Sequence, residues 1–502
     1  MYRIINADKD AYITNKITNT VFRAKDANTG AAGTLDLFKL YDENTITGES
    51  TPIELSRILL HFDLTDISSS YVDGEFDIAS PDFKCEIKLH DVYGGQTTPS
   101  NFKIIAYPLA KEFDEGIGRS IIRFEDLDVC NYLTASVSLS TPVTWSQEGA
   151  SKLGGIAAGS NNDIFASGSF GAGFINLFAT QSFSTGEEDL LLDVTSAVSG
   201  VLTNQIGDYG FRISFSGSEE TDSTTRFVKR FASRNTVNAS KKPKLIVTYN
   251  DLIQDATQNF EFSTTNTLFL NSFGKSTHSN ILSGSSLTEL TGANCLKILV
   301  KTGSIEKTFS GSQNSFGSVF TTGVYSSSFL ISEFDTSLQS HILTSGSIPF
   351  NVYWKSNDLS VIFATTFFTA SRPERTSFDQ NPERFFVNII NMKTAYKQSE
   401  KIRFKLYVED FNRVISYVKV PIEKSSIILN EIYFQIRDFE NNEIIIPFDD
   451  PGTRISNDST THYFDIFMSS LLKGQIYTFE FKIVNKGEDI FLRDTAAKFR
   501  IE

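Results

Sequence analysis

The chain has 502 residues, 40% of them hydrophobic, which is enough for several buried cores. It carries 46 Lys and Arg residues against 60 Asp and Glu residues, and a net charge of -14 would repel a nucleic-acid backbone. Three cysteines without a C-x-x-C pair and five scattered histidines provide neither a disulfide framework nor a zinc site. We therefore expect a globular protein that binds no nucleic acid, enters no membrane and needs no cofactor.

The first residues, MYRIINADKDAYITNK, contain no apolar stretch of the length that a signal peptide needs. This predicts synthesis in a cytoplasm without export. Within this segment, Asp8 and Asp10 alternate onto the same side of an extended chain, a pattern that can supply oxygen ligands to a calcium ion. The alternative interpretation is a turn acceptor and a solvated edge charge.

The composition favours strands over helices. There are 44 Phe and 17 Tyr residues but only 12 Pro and 3 Met, which suits pleated strands joined by polar turns. Apolar and polar residues alternate at Cys85, Ile87 and Leu89, and again around Phe211 to Phe215, which predicts strands with one buried and one wet face. The predicted fold class is therefore all-β.

Only two short helices are predicted. Asp193 or Thr195 is placed to cap a turn or two that carries Val198 and Leu202, and the segment 464–473 precedes a glycine stop at Gly474. Neither segment is long enough to organise a helical domain.

Two features of the first half suggest binding. Arg226, Lys229 and Arg230, followed by Arg234, form the one dense basic run, which could hold a carboxylated glycan or an acidic protein. Trp145 is either a core aromatic or a platform on which a sugar stacks. The alternative for the basic run is an exposed strand that balances an acidic surface.

The stretch Gly149 to Gly173 is rich in Gly, Ala, Ser and Asn. It is interpreted as a long loop or a contact arm. With so few apolar residues it should add little to a core, so its deletion should leave the surrounding domain folded.

Changes in amino-acid composition along the sequence divide the chain into three predicted domains. The strand that ends near Asp251 closes the first domain, residues 1–251. The polar stretch Ser371 to Arg384 has two prolines and little to bury, which is typical of a linker between a second domain, 252–375, and a third, 376–502. Alternation at Ile402, Phe404, Leu406 and Val408 predicts antiparallel sandwich strands in the third domain.

Catalytic motifs are missing from the sequence. There is no G-x-S-x-G elbow, no H-E-x-x-H, no phosphate-binding G-x-x-x-x-G-K-[ST] and no dinucleotide fingerprint. Acidic residues are numerous, so a glycosidase with two facing carboxylates stays open as an alternative. The predicted protein is not an enzyme.

Residues 7–249 resemble the DNRLRE-type, disaggregatase-related jelly-roll module. Eight short pieces carry the resemblance in the family's order: ADKDAYI from Ala7, SRILLHFDLTDI from Ser56, FDEGIG from Phe113, VTW from Val143, LLLDVTSAV from Leu190, GDYGFRI from Gly207, FASR from Phe231 and PKLIVTY from Pro243. The segments 26–52 and 149–182 depart from the compactness of the family. The resemblance implies an N-terminal jelly-roll β-sandwich, followed here by two smaller immunoglobulin-like β-sandwiches.

The order of these modules is similar to that of virion structural proteins of tailed bacteriophages. This resemblance implies a non-enzymatic structural component of the neck, collar, tail or baseplate. Its expected location is the virion, and its expected partners are copies of itself and other virion proteins. The alternative is a glycan-binding adhesin or host-attachment protein that uses the jelly roll to contact a surface polysaccharide.

Overall fold

A computed structural model describes residues 1–44, 46, 52–92, 97–156, 161–170, 173–274, 277–317, 319–372, 383–412, 426–485 and 487–502. Strands make up 47% of these residues and helix 8%, which confirms the predicted all-β fold. None of the helices in the described ranges offers an apolar length that would cross a membrane.

The chain forms two compact units. One consists of Arg3–Ser69 and Phe83–Thr248, and the other consists of Met1–Tyr2, Ser70–Asp82 and Tyr249–Glu502. The division into three domains at residues 251 and 375 stays a prediction, and residues 373–382 of the predicted linker lie outside the described residues.

The N-terminal half is built from short strands and two helices. Its elements are β1 (Tyr2–Asn6), β2 (Lys9–Thr14), β3 (Ile17–Thr18), β4 (Phe22–Arg23), β5 (Thr34–Tyr41), β6 (Ile53–His61), α1 (Thr65–Val72), β7 (Lys84–Leu89), β8 (Phe102–Pro108), β9 (Thr134–Ser138), β10 (Thr141–Thr144), β11 (Leu153–Gly155), β12 (Ile164–Phe170), β13 (Gly173–Asn176), β14 (Ala179–Phe183), β15 (Leu190–Asp193), α2 (Thr195–Leu202), β16 (Phe211–Phe215), β17 (Arg226–Ala232) and β18 (Lys244–Thr248).

Eight of these strands have the connectivity of a jelly roll. One sheet has the order β1-β18-β7-β15, and the other contains β14-β8-β16-β6, extended by β5, β17 and β2. Successive strands of the eight form antiparallel Greek keys that place the first and last strands side by side, as in a double-sheet jelly roll. The predicted N-terminal jelly roll is therefore present.

Both faces of the larger sheet are buried, which corrects the prediction of one wet face for the strand at Phe211. All five residues of β16 are buried, and Arg212 on its outer face is 4% exposed. The outer face is covered by a second apolar cluster. That cluster contains Ile13, Leu55, Leu59, Leu109, Phe113, Cys130, Tyr132, Ala135, Trp145, Ala150 and Ile164.

The prediction that Gly149 to Gly173 adds little core is wrong. Ala150 is fully buried in the second cluster and Ile164 is 2% exposed. The buried Asp163 carboxylate accepts backbone N–H groups of Ser146 at 2.7 Å and Gln147 at 3.0 Å, and that of Lys152. Small residues allow close packing over the sheet, so the stretch belongs to a covering layer. Residues 157–160 and 171–172 lie outside the described residues.

The middle segment forms one six-stranded antiparallel sheet with the order β19-β26-β25-β24-β27-β28. Its elements are β19 (Asn266–Asn271), β20 (Phe273–Gly274), β21 (Thr277–His278), β22 (Leu282–Ser283), β23 (Thr288–Glu289), β24 (Leu296–Thr302), β25 (Ile305–Phe316), β26 (Val319–Phe329), α3 (Gln339–Ser345), β27 (Ser347–Lys355) and β28 (Ile362–Ser371).

Strand β25 bends this sheet around its own core. Its first half pairs with β24, and its second half, from Ser312, pairs with β26. Trp354 and Phe350 lie in the core that this curvature encloses. The segment therefore buries an apolar interior although its strands form a single sheet.

The C-terminal segment is a sandwich of two sheets. Its strands are β29 (Phe385–Ile389), β30 (Ala395–Tyr396), β31 (Lys401–Asp410), β32 (Ile432–Asp438), β33 (Ile444–Ile446), β34 (Ser456–Asn457), β35 (His462–Phe467), β36 (Ile476–Asn485) and β37 (Glu488–Ile501). One sheet has the order β29-β31-β35-β34, and the other has β30-β37-β36-β32-β33. Phe404, Leu406 and Val408 are fully buried, which confirms the predicted alternation of β31.

Of the two predicted helices, one is correct. Helix α2 begins at Thr195, whose N–H and hydroxyl both donate to the Asp193 carboxylate, at 3.0 and 2.6 Å. The helix predicted over 464–473 is wrong. Residues up to Phe467 belong to β35, because Phe464 and Ile466 on alternate positions fill the sandwich core, and only Met468–Ser470 form a 3₁₀ turn.

Candidate functional site

The two aspartates of the predicted calcium site lie in different environments. Asp8 accepts a hydrogen bond from His61 at 2.6 Å, and it keeps a pKa below its usual range although burial opposes this. Asp10 is 1% exposed, and its Oδ2 accepts the backbone N–H of Arg234. No group of three or more His, Cys, Asp or Glu side chains suited to a metal occurs in the described ranges, and the calcium site stays a prediction.

Asp10 is the most perturbed acid of this region. Burial raises the pKa of its carboxyl to about 7, and the nearby Glu115 carboxylate adds to the rise. Its Oδ1 has no hydrogen-bond partner among the described residues. Glu115 accepts the Asp10 backbone N–H at 2.8 Å and pairs with the Arg234 guanidinium. An acid whose charged form is penalised in this way makes the stability of the fold depend on pH.

Trp145 is enclosed by the second apolar cluster. The residue is 4% exposed, and its indole N–H donates to the Asn131 carbonyl at 2.9 Å. Trp145 is therefore a core aromatic residue, and neither face of its indole ring is exposed for a sugar to stack on.

The basic run of β17 is used inside the fold. Arg226 pairs with Asp222, at 2.7 Å from Nη2 to Oδ2, and Arg230 binds both oxygens of Asp36 at 2.8 and 2.9 Å. Lys229 is fully buried. Its ammonium donates to Asp91 and to the carbonyls of Gly186 at 2.7 Å and Glu188 at 2.9 Å. These three cations are therefore committed to internal partners.

A polar cleft in the unit that contains Tyr249–Glu502 was not predicted from the sequence. It has a volume of about 590 Å³, within the size range of small-molecule sites. The residues that line this polar cleft are Asp73, Glu75, Phe273, Thr277, His278, Thr321, Thr322, Lys401, Arg403 and Asp465.

One wall of the polar cleft is the outer face of β31 and β35. Arg403 and Asp465 are directly opposite each other in the pairing of these strands. Arg403 Nε donates to Asp465 Oδ1 at 2.8 Å and Nη2 donates to Oδ2 at 2.9 Å, while its guanidinium lies 4.4 Å from the centre of the Tyr463 ring. Burial opposes the charge of Arg403, but the Asp465 carboxylate outweighs it and raises the Arg403 pKa. The pair is a rigid planar group.

The opposite wall contains two side-chain rings, those of Phe273 and His278. Phe273 on β20 is 60% exposed and lies 4.5 Å, centre to centre, from the ring of His278 on β21. Burial and the charge of Arg403 lower the pKa of His278. Lys401 contacts two acidic residues of the lining, since its Nζ lies 2.9 Å from Glu75 Oε1 and 4.0 Å from Asp465 Oδ2.

A smaller cavity of about 180 Å³ shares six lining residues with the polar cleft. The shared residues are Glu75, His278, Thr321, Lys401, Arg403 and Asp465. Arg454 lines this cavity, and its Nε is buried without a hydrogen-bond partner among the described residues.

A second surface of interest is the edge strand β28 of the middle sheet. Its sequence, IFATTFFTAS, contains no charged residue over ten positions. Phe368 and Ala370 are buried, whereas Phe367 is 74% exposed and Thr365 and Thr369 are exposed on the same side. Edge strands in soluble proteins usually carry charges, prolines or bulges that discourage further pairing. This edge lacks charge and proline, although the outer side of its last residue, Ser371, pairs with the segment 260–262 of the same chain.

Comparisons with known proteins identify no relative by sequence. No family model and no curated protein matches the chain. Among solved structures, the fibronectin(III)-like modules of Clostridium thermocellum CbhA are 8% identical over 50% of this chain and 91% of theirs, with a TM-score of 0.13. The Ig1-2 module of the Drosophila receptor protein tyrosine phosphatase DLAR is 9% identical over 50% and 95%, with a TM-score of 0.14. A chimeric titin Z1Z2 tandem is 11% identical over 48% and 93%, at 0.15. These neighbours are immunoglobulin- and fibronectin-like, and scores this low carry no argument.

Proposed function

We propose that the chain is a non-enzymatic structural component of a tailed-phage virion, in the neck, collar, tail or baseplate. It acts through contacts with copies of itself and with other virion proteins. The observation that carries this proposal is the uncharged edge of β28 with Phe367 exposed, because such an edge favours strand addition by a neighbouring chain. The resemblance of the module order to that of virion proteins suggests that these contacts are made in the phage particle.

The jelly-roll strand order supports the further proposal that residues 7–249 are a DNRLRE-type module. The alternative, a glycan-binding attachment protein that uses this module, has less support, because the residues expected to contact a glycan have internal roles. Trp145 is enclosed, and Arg226, Lys229 and Arg230 bind internal partners. A glycan would have to contact other residues of the jelly roll.

The test introduces a charge on the proposed docking edge. Phe367→Lys places an ammonium on an exposed position of β28, where it costs no buried contact but opposes the approach of another strand. Particles assembled with this variant should contain about tenfold less of the chain, as quantified by mass spectrometry against the major capsid protein.

The matched control is Asn351→Lys, which puts the same charge on an exposed position of β27, a strand that is paired on both sides in the same sheet. It should be incorporated normally. Normal incorporation of Phe367→Lys, with both variants melting like the parent protein, would reject the β28 contact. Equal losses for both variants would reject it as well.

A further inference from the structure

We propose that the polar cleft binds a neutral oligosaccharide. This site is separate from the β28 edge and from the jelly-roll residues considered above. The proposal rests on three properties of the lining: charges of which most are paired with one another, fixed planar hydrogen-bonding groups and an exposed aromatic ring.

Four of the five charged side chains that line the polar cleft are paired with one another, and the fifth, Asp73, is exposed. Lys401 contacts both Glu75 and Asp465, and Arg403 binds Asp465 through two hydrogen bonds. A phosphate or a carboxylate ligand would have to compete with these carboxylates for the same cations. A cationic ligand would have to compete with Lys401 and Arg403. The arrangement therefore favours an uncharged ligand.

Paired ionic groups still offer many hydrogen bonds to a ligand rich in hydroxyl groups. A guanidinium has five N–H donors and a carboxylate accepts at several positions, so the Arg403–Asp465 pair keeps free donors and acceptors after its two internal bonds. Thr277 and Thr322 add exposed hydroxyls on the other side. Vicinal sugar hydroxyls both donate and accept, and they match such a mixed lining.

The apolar side of a sugar ring also has a partner. Phe273 presents an exposed ring at the cleft and is held beside the His278 ring. The volume of about 590 Å³ gives space for more than one sugar ring.

Isothermal titration calorimetry of the full chain tests this proposal. The probes are cellohexaose, laminarihexaose and mannohexaose, with hexagalacturonate as the acidic comparison. At least one neutral probe should bind with a Kd at or below about 1 mM. That Kd should change little between low and high salt, because no net charge is neutralised on binding.

Two cleft variants and a matched control locate the site. Phe273→Ala and Asp465→Asn should each weaken binding about tenfold, the first through loss of stacking and the second through loss of the carboxylate that holds Arg403 by two hydrogen bonds. Lys301→Ala, which removes an exposed ion pair with Glu306 in the same compact unit, should bind like the parent chain.

A third variant, Thr322→Trp, tests the site even if Asp465→Asn unfolds the sandwich. Thr322 is exposed, so the added indole fills the cleft and should abolish binding without removing a core contact. Absence of binding to all neutral probes, preference for hexagalacturonate, or binding that survives Phe273→Ala and Thr322→Trp would each overturn the proposal. Particle incorporation of these variants should stay normal, so this test and the test of β28 fail independently.

Discussion

Arg57 and Glu220, 163 positions apart, form a two-fold hydrogen-bonded ion pair on the outer face of the jelly-roll sheet. Arg57 Nε and Nη2 lie 2.9 and 2.8 Å from the two carboxylate oxygens, and Nη1 donates to the Gly149 carbonyl. The Arg57 side chain is 7% exposed and that of Glu220 is 13% exposed. The pair therefore ties the glycine-rich covering layer to the sheet.

The first prediction concerns the charge balance around this pair. Arg212 is also buried there, and burial together with the charge of Arg57 lowers its pKa to about 10. Glu220→Gln removes the carboxylate that pairs with Arg57 and compensates Arg212, and it should cost about 3–5 kcal/mol in the free energy of unfolding. Arg57→Met should cost less, because Glu220 can still compensate Arg212.

Tryptophan fluorescence measures this difference in urea. Trp354→Phe leaves Trp145 as the only indole, and Trp145 lies in the covering layer. Glu306→Gln, which disrupts an exposed pair, serves as the control and should not shift the transition. Equal losses for Glu220→Gln and Arg57→Met would contradict the charge argument.

The second prediction concerns the covering layer itself. Asp163→Ala leaves three backbone N–H groups without their shared acceptor and should lower stability by about 2–3 kcal/mol. Glu187→Ala, at an exposed position of the same unit, should stay within about 0.5 kcal/mol of the parent. Thermal melts followed by Trp145 fluorescence distinguish the two, and an unchanged midpoint for Asp163→Ala would mean that the layer is dispensable.

Local patterns predicted which residues of a strand are buried, but not what covers them. The alternation of β31 placed Phe404 and Leu406 in a core, as the structure has them. The same logic gave β16 a wet face, and this failed because residues as distant in sequence as Ile13 contribute the second apolar cluster that covers this face. The sequence of a strand does not show whether a distant segment of the chain covers one of its faces.

The polar cleft was missed for the same reason. Arg403 looked like an ordinary solvent-facing strand residue, and its partner Asp465 lay in a segment predicted to be helical. Gly474 is the kind of residue that often follows the end of a helix, but burial of Phe464 and Ile466 in the sandwich core favours a strand here. Cross-strand pairing over 62 positions is not readable without the fold.

The third prediction is a pH dependence from Asp10. Its pKa is about 7 in the folded chain, mainly because of burial, against 3.8 as the ordinary value. Between these values the unfolded chain releases the proton while the folded chain keeps it. Stability should therefore fall as the pH rises from about 4 to 7, by roughly 2–4 kcal/mol from this group.

Asp10→Asn isolates this contribution, because the amide mimics the protonated acid. Urea transitions of the parent and the variant at a series of pH values should diverge from about pH 4 upward, with the variant more stable at pH 8. Parallel profiles would show that Asp10 is ionised in the folded chain at neutral pH, or that a cation compensates its charge.

The last prediction separates a structural from a binding role for Lys229. A surface lysine that held a glycan could be replaced without affecting the fold, whereas this ammonium is fully buried among Asp91 and two carbonyl groups. Lys229→Met should leave Asp91 without its cation and cost about 3–5 kcal/mol. Adding Asp91→Asn should restore part of the loss, because the uncompensated charge is then removed. Chemical denaturation of the single and double variants measures the coupling. An Lys229→Met variant with parental stability would return this residue to the set of candidate contacts for a glycan or an acidic protein.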